Sequence, residues 1–434
     1  MKEGRLSALL PIGVFLLLFL GSGIFFADFY KMPAIVAFLL AFMVAFIQNG
    51  KHNFMTKLGV ATRSMGQENI MLMCMIFILA GAFSGIVQAA GGVSSTVNFS
   101  LAFLPPALTV SGLYLIACFI SISMGTSVGT IAALAPIAIG ISDKTTLPVA
   151  MCLGAVVCGA MFGDNLSVIS DTTIAATKTQ GCKMTEKFRE NFRIVLPAAI
   201  LTFIFFSVLG VHANYTISGD LEYSFVQMLP YLVILFGAAA GINVFLLLFA
   251  GIILSGIVGV ATGMIQPDNL FVVVASGNDG HGGVMGMYDI MAISLVVAGI
   301  IGLVKENGGI DYLLSRAKQK ITGKKQAQLG IAALSSLVDI ATANNTVAIV
   351  IAGPIVKELS EAYDIKPARA ASLIDIFTSV WQGVLPYGAQ LLYATAGAMA
   401  AGHYLTPVAI WPYLIYPLLM FVCGILYILI KGNK

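Results

Sequence analysis

The sequence predicts an all-α, polytopic membrane protein made of two inverted-topology repeats. Each repeat has about five transmembrane helices plus a re-entrant hairpin, and broken helices lie at the centre. Three observations predict this. The 434 residues are 59% hydrophobic and 10% charged, with a mean hydropathy of +0.95, whereas soluble domains run near 45–50% apolar and about 25% charged. Apolar windows of about 17–25 residues, the length that crosses a bilayer, recur along the chain. The third observation is an internal similarity at half the chain length.

In chain order, uninterrupted apolar windows fall at 8–26, 33–49, 68–88, 188–211, 225–243, 246–265, 288–305 and 406–430. The charged and then apolar N-terminus is read as an uncleaved first span, because its apolar run is long and the chain returns to the membrane at once. Two longer regions, 106–178 and 326–401, are interrupted by polar, Gly-rich or Pro-bearing patches.

The internal similarity has three matches in order. Pro11 pairs with Pro230 at an offset of 219, Gly85 with Gly302 at 217, and Pro136 with Pro354 at 218. They divide the chain into repeats at 1–215 and 216–434, as expected of transporters built from inverted halves. Orientation follows from Lys and Arg in short loops. Basic clusters at Lys2/Arg5, Lys51/Lys57/Arg63, Lys178–Arg193, Arg316–Lys325, Lys366/Arg369 and Lys431/Lys434 mark the cytoplasmic side. Loops 27–30, 91–105, 212–224 and 266–287 lie outside, so both termini are cytoplasmic and the halves have opposite topology. Parity then requires a hairpin in each half: arms 106–121 and 130–142 around SISMGTSVG, and 326–363 around TANNT. It also makes 147–178 and 368–400 crossing helices, the first broken near 163–170 and the second around QGVLPYG, for ten crossings in all. Non-helical backbone at membrane depth survives only where it is buried or lines a cavity, so the breaks imply a central polar site.

The chemistry-bearing residues concentrate there. MFGDNLSVISDTTIAATKTQ (Met161–Gln180) places Asp164, Asn165, Ser167, Ser170, Asp171, Thr172 and Thr173 in apolar surroundings. Intramembrane carboxylates are costly unless they serve a site. If helical, Asp164, Ser167 and Asp171 share a face; if the chain unwinds at Gly163–Ser167, free carbonyls join the carboxylates. Oxygen ligands of either kind suit a small hard cation such as Na⁺, with Asp164 and Asp171 as its charged ligands. Asp171 has an alternative reading as the cap of a helix starting at Thr172. In the second half Asp375, Thr378 or Ser379, and Gln382 form one polar face, while Asp339 either joins the site or braces the second hairpin. The tips Thr126-Ser127 and Asn344-Asn345-Thr346 offer hydroxyls, amides and helix N-termini to a cation site or to a solute carboxylate.

Several classes are excluded or weak. The net charge of +3 is too small to suggest nucleic acid. The motif GxxxxGK[ST] is absent, which argues against an ATP-driven pump. The six cysteines lack metal spacing and read as small buried hydrophobes. The loop with Asp268, Asn278, Asp279 and His281 lacks EF-hand spacing. A scaffold has no use for intramembrane carboxylates.

FGDNLSVISDTTIAAT resembles the motif of the NhaC-type sodium/proton antiporter family, whose members carry a related Gly-Asp, Ser, Ser-Asp-Thr-Thr pattern. The duplicated unit with polar tips is also similar to the wider ion-transporter superfamily. That resemblance implies paired cation and substrate sites, elevator-type movement, and Na⁺ and H⁺ as transported ions with no resident cofactor. Many relatives have Pro between the two serines, where this chain has Val168-Ile169. The expected function is a sodium/proton antiporter of the plasma or inner membrane. The alternative is a sodium- or proton-coupled transporter of a small organic solute such as an amino acid or carboxylate. A carboxylate taken out of water favours its protonated form, which lets protons compete with sodium. The long apolar spans are compatible with a homodimer.

Overall fold

A computed structural model describes residues 4–25, 32–50, 52–103, 105, 108–167, 170–212, 221–240, 242–277, 283–312 and 323–432. Loop 27–30, Val168-Ile169, Asn278, Asp279, His281 and most of the Arg316–Lys325 cluster lie outside the described residues. Those described form helices and connections without strands.

The first half begins with α1 (Leu10–Phe25), α2 (Ala34–Ile47), α3 (Phe54–Met65) and α4 (Glu68–Ala89). It continues with α5 (Gly92–Phe103), α6 (Thr109–Met124), α7 (Ser127–Lys144) and α8 (Val149–Leu166), and closes with α9 (Asp171–Gln180) and α10 (Met184–His212). The second half opens with α11 (Phe225–Ala239), α12 (Val244–Ala261), α13 (Leu270–Ser276) and α14 (Tyr288–Glu306). Then come α15 (Lys324–Thr342), α16 (Asn345–Ala362), α17 (Pro367–Val384), α18 (Ala389–Ala400), α19 (Pro407–Ile410) and α20 (Ile415–Lys431).

The central elements recur at one offset. From Ser127 to Asn345, from Val149 to Pro367 and from Asp171 to Ala389 the helix starts differ by 218. In each half a helical hairpin precedes two consecutive helices, the first ending at Leu166 or Val384 and the second starting at Asp171 or Ala389. The hairpin turns share their chemistry. Gly125 (φ 70°) and Ala343 (φ 50°) adopt the left-handed conformation that ends the first arm. Thr126 and Asn344 are extended N-caps whose side chains accept from Gly129 N and Val347 N. Ala343 holds this conformation with a Cβ, at a cost of roughly 1–2 kcal/mol.

The second interruption has a local cause. Pro386 lacks a backbone donor and disfavours helical geometry at Leu385, which is extended. The freed groups are bonded from outside: Trp411 Nε1 donates to Val384 O at 2.9 Å. In the first half, α8 lies close against α6. A side chain at Gly159 or Gly163 would collide with Tyr114 or Ser121, and the close approach lets Ser121 Oγ donate to Ala160 O at 2.5 Å. Small residues at helix interfaces act this way in membranes.

Three segments depart from the expected pattern. Residues 91–105, read as an outer loop, contain α5, whose polar side chains find partners: Ser95 Oγ donates to Gln227 Oε1 and Asn98 Nδ2 to Glu222 O, both at 2.6 Å. Residues 54–65, read as a basic loop, form the amphipathic α3, started by Asn53 accepting from Thr56 N. The span expected at 406–430 is bent by 59° between the 407–413 segment and α20.

Among the described residues five helices are long and apolar enough to cross a membrane, and the bent pair makes a sixth. Four further apolar helices, including Thr109–Ile122 and Phe225–Gly237, are 10–17 residues long. Length and composition therefore do not by themselves reach ten crossings. In α17, for example, Arg369, Asp375 and Gln382 dilute the hydropathy.

Candidate functional site

Both hairpin tips and both helix interruptions converge on one cavity of about 470 Å³. Thr126, Ser127, Asn344, Asn345 and Thr346 line it from the tips. Asp164, Ser170, Asp171 and Thr172 come from the first interruption, and Gln382 and Gln390 from the second. Leu72, Ile76, Ile242, Val244 and Phe245 complete an apolar wall beside Asn243. Among the described residues no Lys, Arg or His side chain lines it.

Asp164 is the organising group. Ser127 of the first tip donates to its Oδ2 through both the backbone N (3.2 Å) and Oγ (2.7 Å). Ser170 Oγ donates to Oδ1 at 2.5 Å and lies 2.9 Å from Thr172 Oγ1. Gln390 Nε2 donates to Ser127 Oγ at 3.1 Å, tying the second half to the same carboxylate. Asp171 is different: it is the first residue of α9, and it is exposed on the cavity side. Ser170, not Asp171, is the N-cap, so the capping reading of Asp171 does not hold. Its negative charge in the first turn still suits the helix dipole.

Four expected site residues, Asn165, Ser167, Thr173 and Asp375, are not among those lining the cavity. Asn165, Thr173 and Asp375 surround the ε-ammonium of Lys187, which is 1% exposed. Lys187 Nζ reaches Asp375 Oδ2 at 2.5 Å, Thr173 Oγ1 at 2.8 Å and Asn165 O at 3.2 Å. Those three acceptors match the three donors of an ammonium. Asn191 Nδ2 also donates to Asn165 O (2.6 Å), and Tyr416 OH donates to Asn165 Oδ1 (3.2 Å). The oxygens read as cation ligands are therefore occupied by a cation of the chain itself. In the sequence, Lys187 belongs to the basic Lys178–Arg193 cluster that marks the cytoplasmic side. Its only sequence signal is its place in α10, one turn before Asn191 and just ahead of a long apolar run.

The unwinding also starts later than expected. Gly163–Leu166 remain helical, and Ser167 N uses Gly163 O (2.8 Å) and Asp164 O (3.3 Å), so these carbonyls are not free ligands. Ser167 is 1% exposed and outside the lining. The polar face expected on α17 is likewise divided: Asp375 pairs with Lys187, Thr378 Oγ1 bonds back to Ile374 O, and Gln382 lines the cavity. Asp339 is fully buried, and neither of its carboxylate oxygens has a protein hydrogen-bond partner. It therefore does not brace the tip by hydrogen bonding. Among the described residues no group of three or more His, Cys, Asp or Glu side chains is placed to hold a metal ion.

The model of the Na⁺/H⁺ antiporter family matches residues 6–211 and 220–430. The chain belongs to the Na⁺/H⁺ antiporter family. Its members are transporters rather than enzymes, and the apolar helices agree with a multi-pass membrane protein. The chain is 22% identical to the malate-2H(+)/Na(+)-lactate antiporter of Bacillus subtilis (strain 168) over 91% of this chain and 89% of that protein. It is 24% identical to the Na(+)/H(+) antiporter NhaC of the same organism, covering 74% of this chain and 76% of the relative. It is 23% identical to the arginine/ornithine antiporter ArcD of Halobacterium salinarum, over 74% of this chain and 71% of the relative. Among solved structures, the Alcanivorax borkumensis YdaH transporter aligns over 98% of both chains at 13% identity and a TM-score of 0.42.

Proposed function

We propose that this member of the antiporter family exchanges sodium ions for protons at Asp164, with Asp171 as a second carboxylate of the same cavity. The observation that carries the reading is the position of Asp164. It joins the first tip to the first interruption and lies on a cavity to which both halves contribute. Its hydroxyl and amide neighbours suit a hard cation. Na⁺ and H⁺ are the exchanged ions, and no resident cofactor takes part. The halves act as inverted repeats with re-entrant hairpins, both termini face the cytoplasm, and alternating access is of the elevator type. Assembly as a homodimer in the plasma or inner membrane fits the exposed apolar helices.

A second reading is supported by size. About 470 Å³ far exceeds what one ion needs and falls in the range of small-molecule sites, roughly 300–1,000 Å³. Relatives are named for malate and lactate and for arginine and ornithine. In this reading the same site couples an ion to a small organic solute.

The test is purified protein in liposomes containing a pH-sensitive dye, challenged with Na⁺, Li⁺ and K⁺ pulses. Sodium is expected to move protons, and Asp164→Asn to abolish that movement while the variant still purifies as a folded species. Proton movement at the wild-type rate in Asp164→Asn would overturn the assignment.

A further inference from the structure

The cavity is short of donors on one side, and the missing groups indicate what fills it. Gln382 is 2% and Gln390 3% exposed, both line the cavity, and the Oε1 atom of each has no hydrogen-bond partner. The orientation of Gln390 is set by its Nε2, which donates to Ser127 Oγ. A buried carbonyl left without a donor is destabilising, so both oxygens call for N–H or O–H groups from a ligand. Asp171 adds a carboxylate to which no hydrogen bond is made among the described residues, exposed on the same cavity. Asp164 differs, since Ser127 and Ser170 already donate to it.

The opposite side carries donors. Asn344 Oδ1 is used by Val347 N and Asn243 Oδ1 by Phe245 N. The NH₂ group of each amide, a two-donor group, makes no hydrogen bond among the described residues. With two carboxylates and no cationic side chain lining the cavity among the described residues, a dianion would meet like charge, which is unfavourable.

We infer that the cavity binds a small organic ammonium solute, cationic or zwitterionic, whose N–H groups are shared by Asp171, Gln382 and Gln390. A carboxylate on the same solute, where there is one, lies at the Asn243 and Asn344 amides. The apolar wall of Ile242, Val244 and Phe245 takes the carbon chain. This rests on the reading of the cavity as the transport site, and names the class of solute that the second reading leaves open.

Three four-carbon probes differing mainly in charge test it: butylammonium, γ-aminobutyrate and succinate. Each is titrated against the full-length protein in detergent in the presence of Na⁺, with thermal stabilisation as the readout. Butylammonium and γ-aminobutyrate are expected to bind at least about tenfold more tightly than succinate. Asp171→Asn and, separately, Gln382→Met are expected to weaken the two amines by about tenfold or more. Use of two variants keeps the test valid if one of them fails to fold. Tighter binding of succinate, the absence of any amine effect, or amine binding unchanged in folded variants would overturn the inference. The liposome assay separates this outcome from the antiport reading. Proton movement driven by Na⁺ with silent amines defeats only the solute assignment, whereas no sodium-driven proton movement defeats the ion assignment first.

Discussion

The two sides of the first broken helix are built from neighbouring residues yet form opposite kinds of polar site. On the cavity side, Asp164, Ser170, Asp171 and Thr172 line open space, and no described side chain among the lining residues supplies a positive charge. On the rear side, Asn165, Thr173 and Asp375 close around Lys187. Similar oxygen chemistry thus serves a site available to a ligand in front and one filled by a tethered ammonium behind. The rear pair spans the halves, because Lys187 lies on α10 and Asp375 on α17. Ser372 Oγ, donating to Lys187 O at 3.3 Å, and the nearby Arg369–Glu190 ion pair reinforce the same seam. One side is left open to a ligand and the other is closed by an ion pair of the protein itself.

The comparison is most exposed at Lys187. Lys187→Met leaves Asp375 buried without its partner, and removing one member of a buried pair costs about 3–5 kcal/mol. A large fall in apparent melting temperature is expected in detergent. Lys187→Met combined with Asp375→Leu is expected to recover most of it, since apolar replacements of buried pairs are often neutral. A single variant as stable as wild type would show that the rear side is not a structural clasp. Ser127→Ala tests the cavity side. It removes a hydroxyl bonded to a charged group, an interaction of about 1.5–3 kcal/mol, so half-saturation by Na⁺ should rise roughly tenfold or more in the liposome assay with modest change in stability. If Ser127→Ala lowers stability and leaves sodium dependence unaltered, the division of roles is reversed. The smallest effect is expected from Tyr416→Phe, which deletes one bond to Asn165 Oδ1 on the rear side. About 0.5–1.5 kcal/mol of stability should be lost, with half-saturation by Na⁺ unchanged.

Much of this architecture is written locally. The apolar windows, Pro386 and the Thr126 and Asn344 caps each act through a few neighbouring residues, and the hairpin turns and the second interruption stand where those signals place them. Helices α3 and α5 were harder to read because their sequences are mixed: α3 is amphipathic, and the polar groups of α5 are satisfied by partners more than a hundred residues away.

The site divides along the same line. Residue types and their clustering at Met161–Gln180 are enough to indicate a polar, carboxylate-bearing centre, because charge in an apolar segment is conspicuous in one dimension. The direction each side chain faces is not determined there. Asp164 and Asn165 are adjacent in α8, where successive side chains point in different directions around the axis, and which of the two meets the cavity is decided only when α6, α10 and α17 pack around them. Lys187 shows the limit most clearly. In sequence it is one basic residue among several near a span end. Only the tertiary structure removes it from water, and once buried it must find oxygen partners, which it takes from three separate helices.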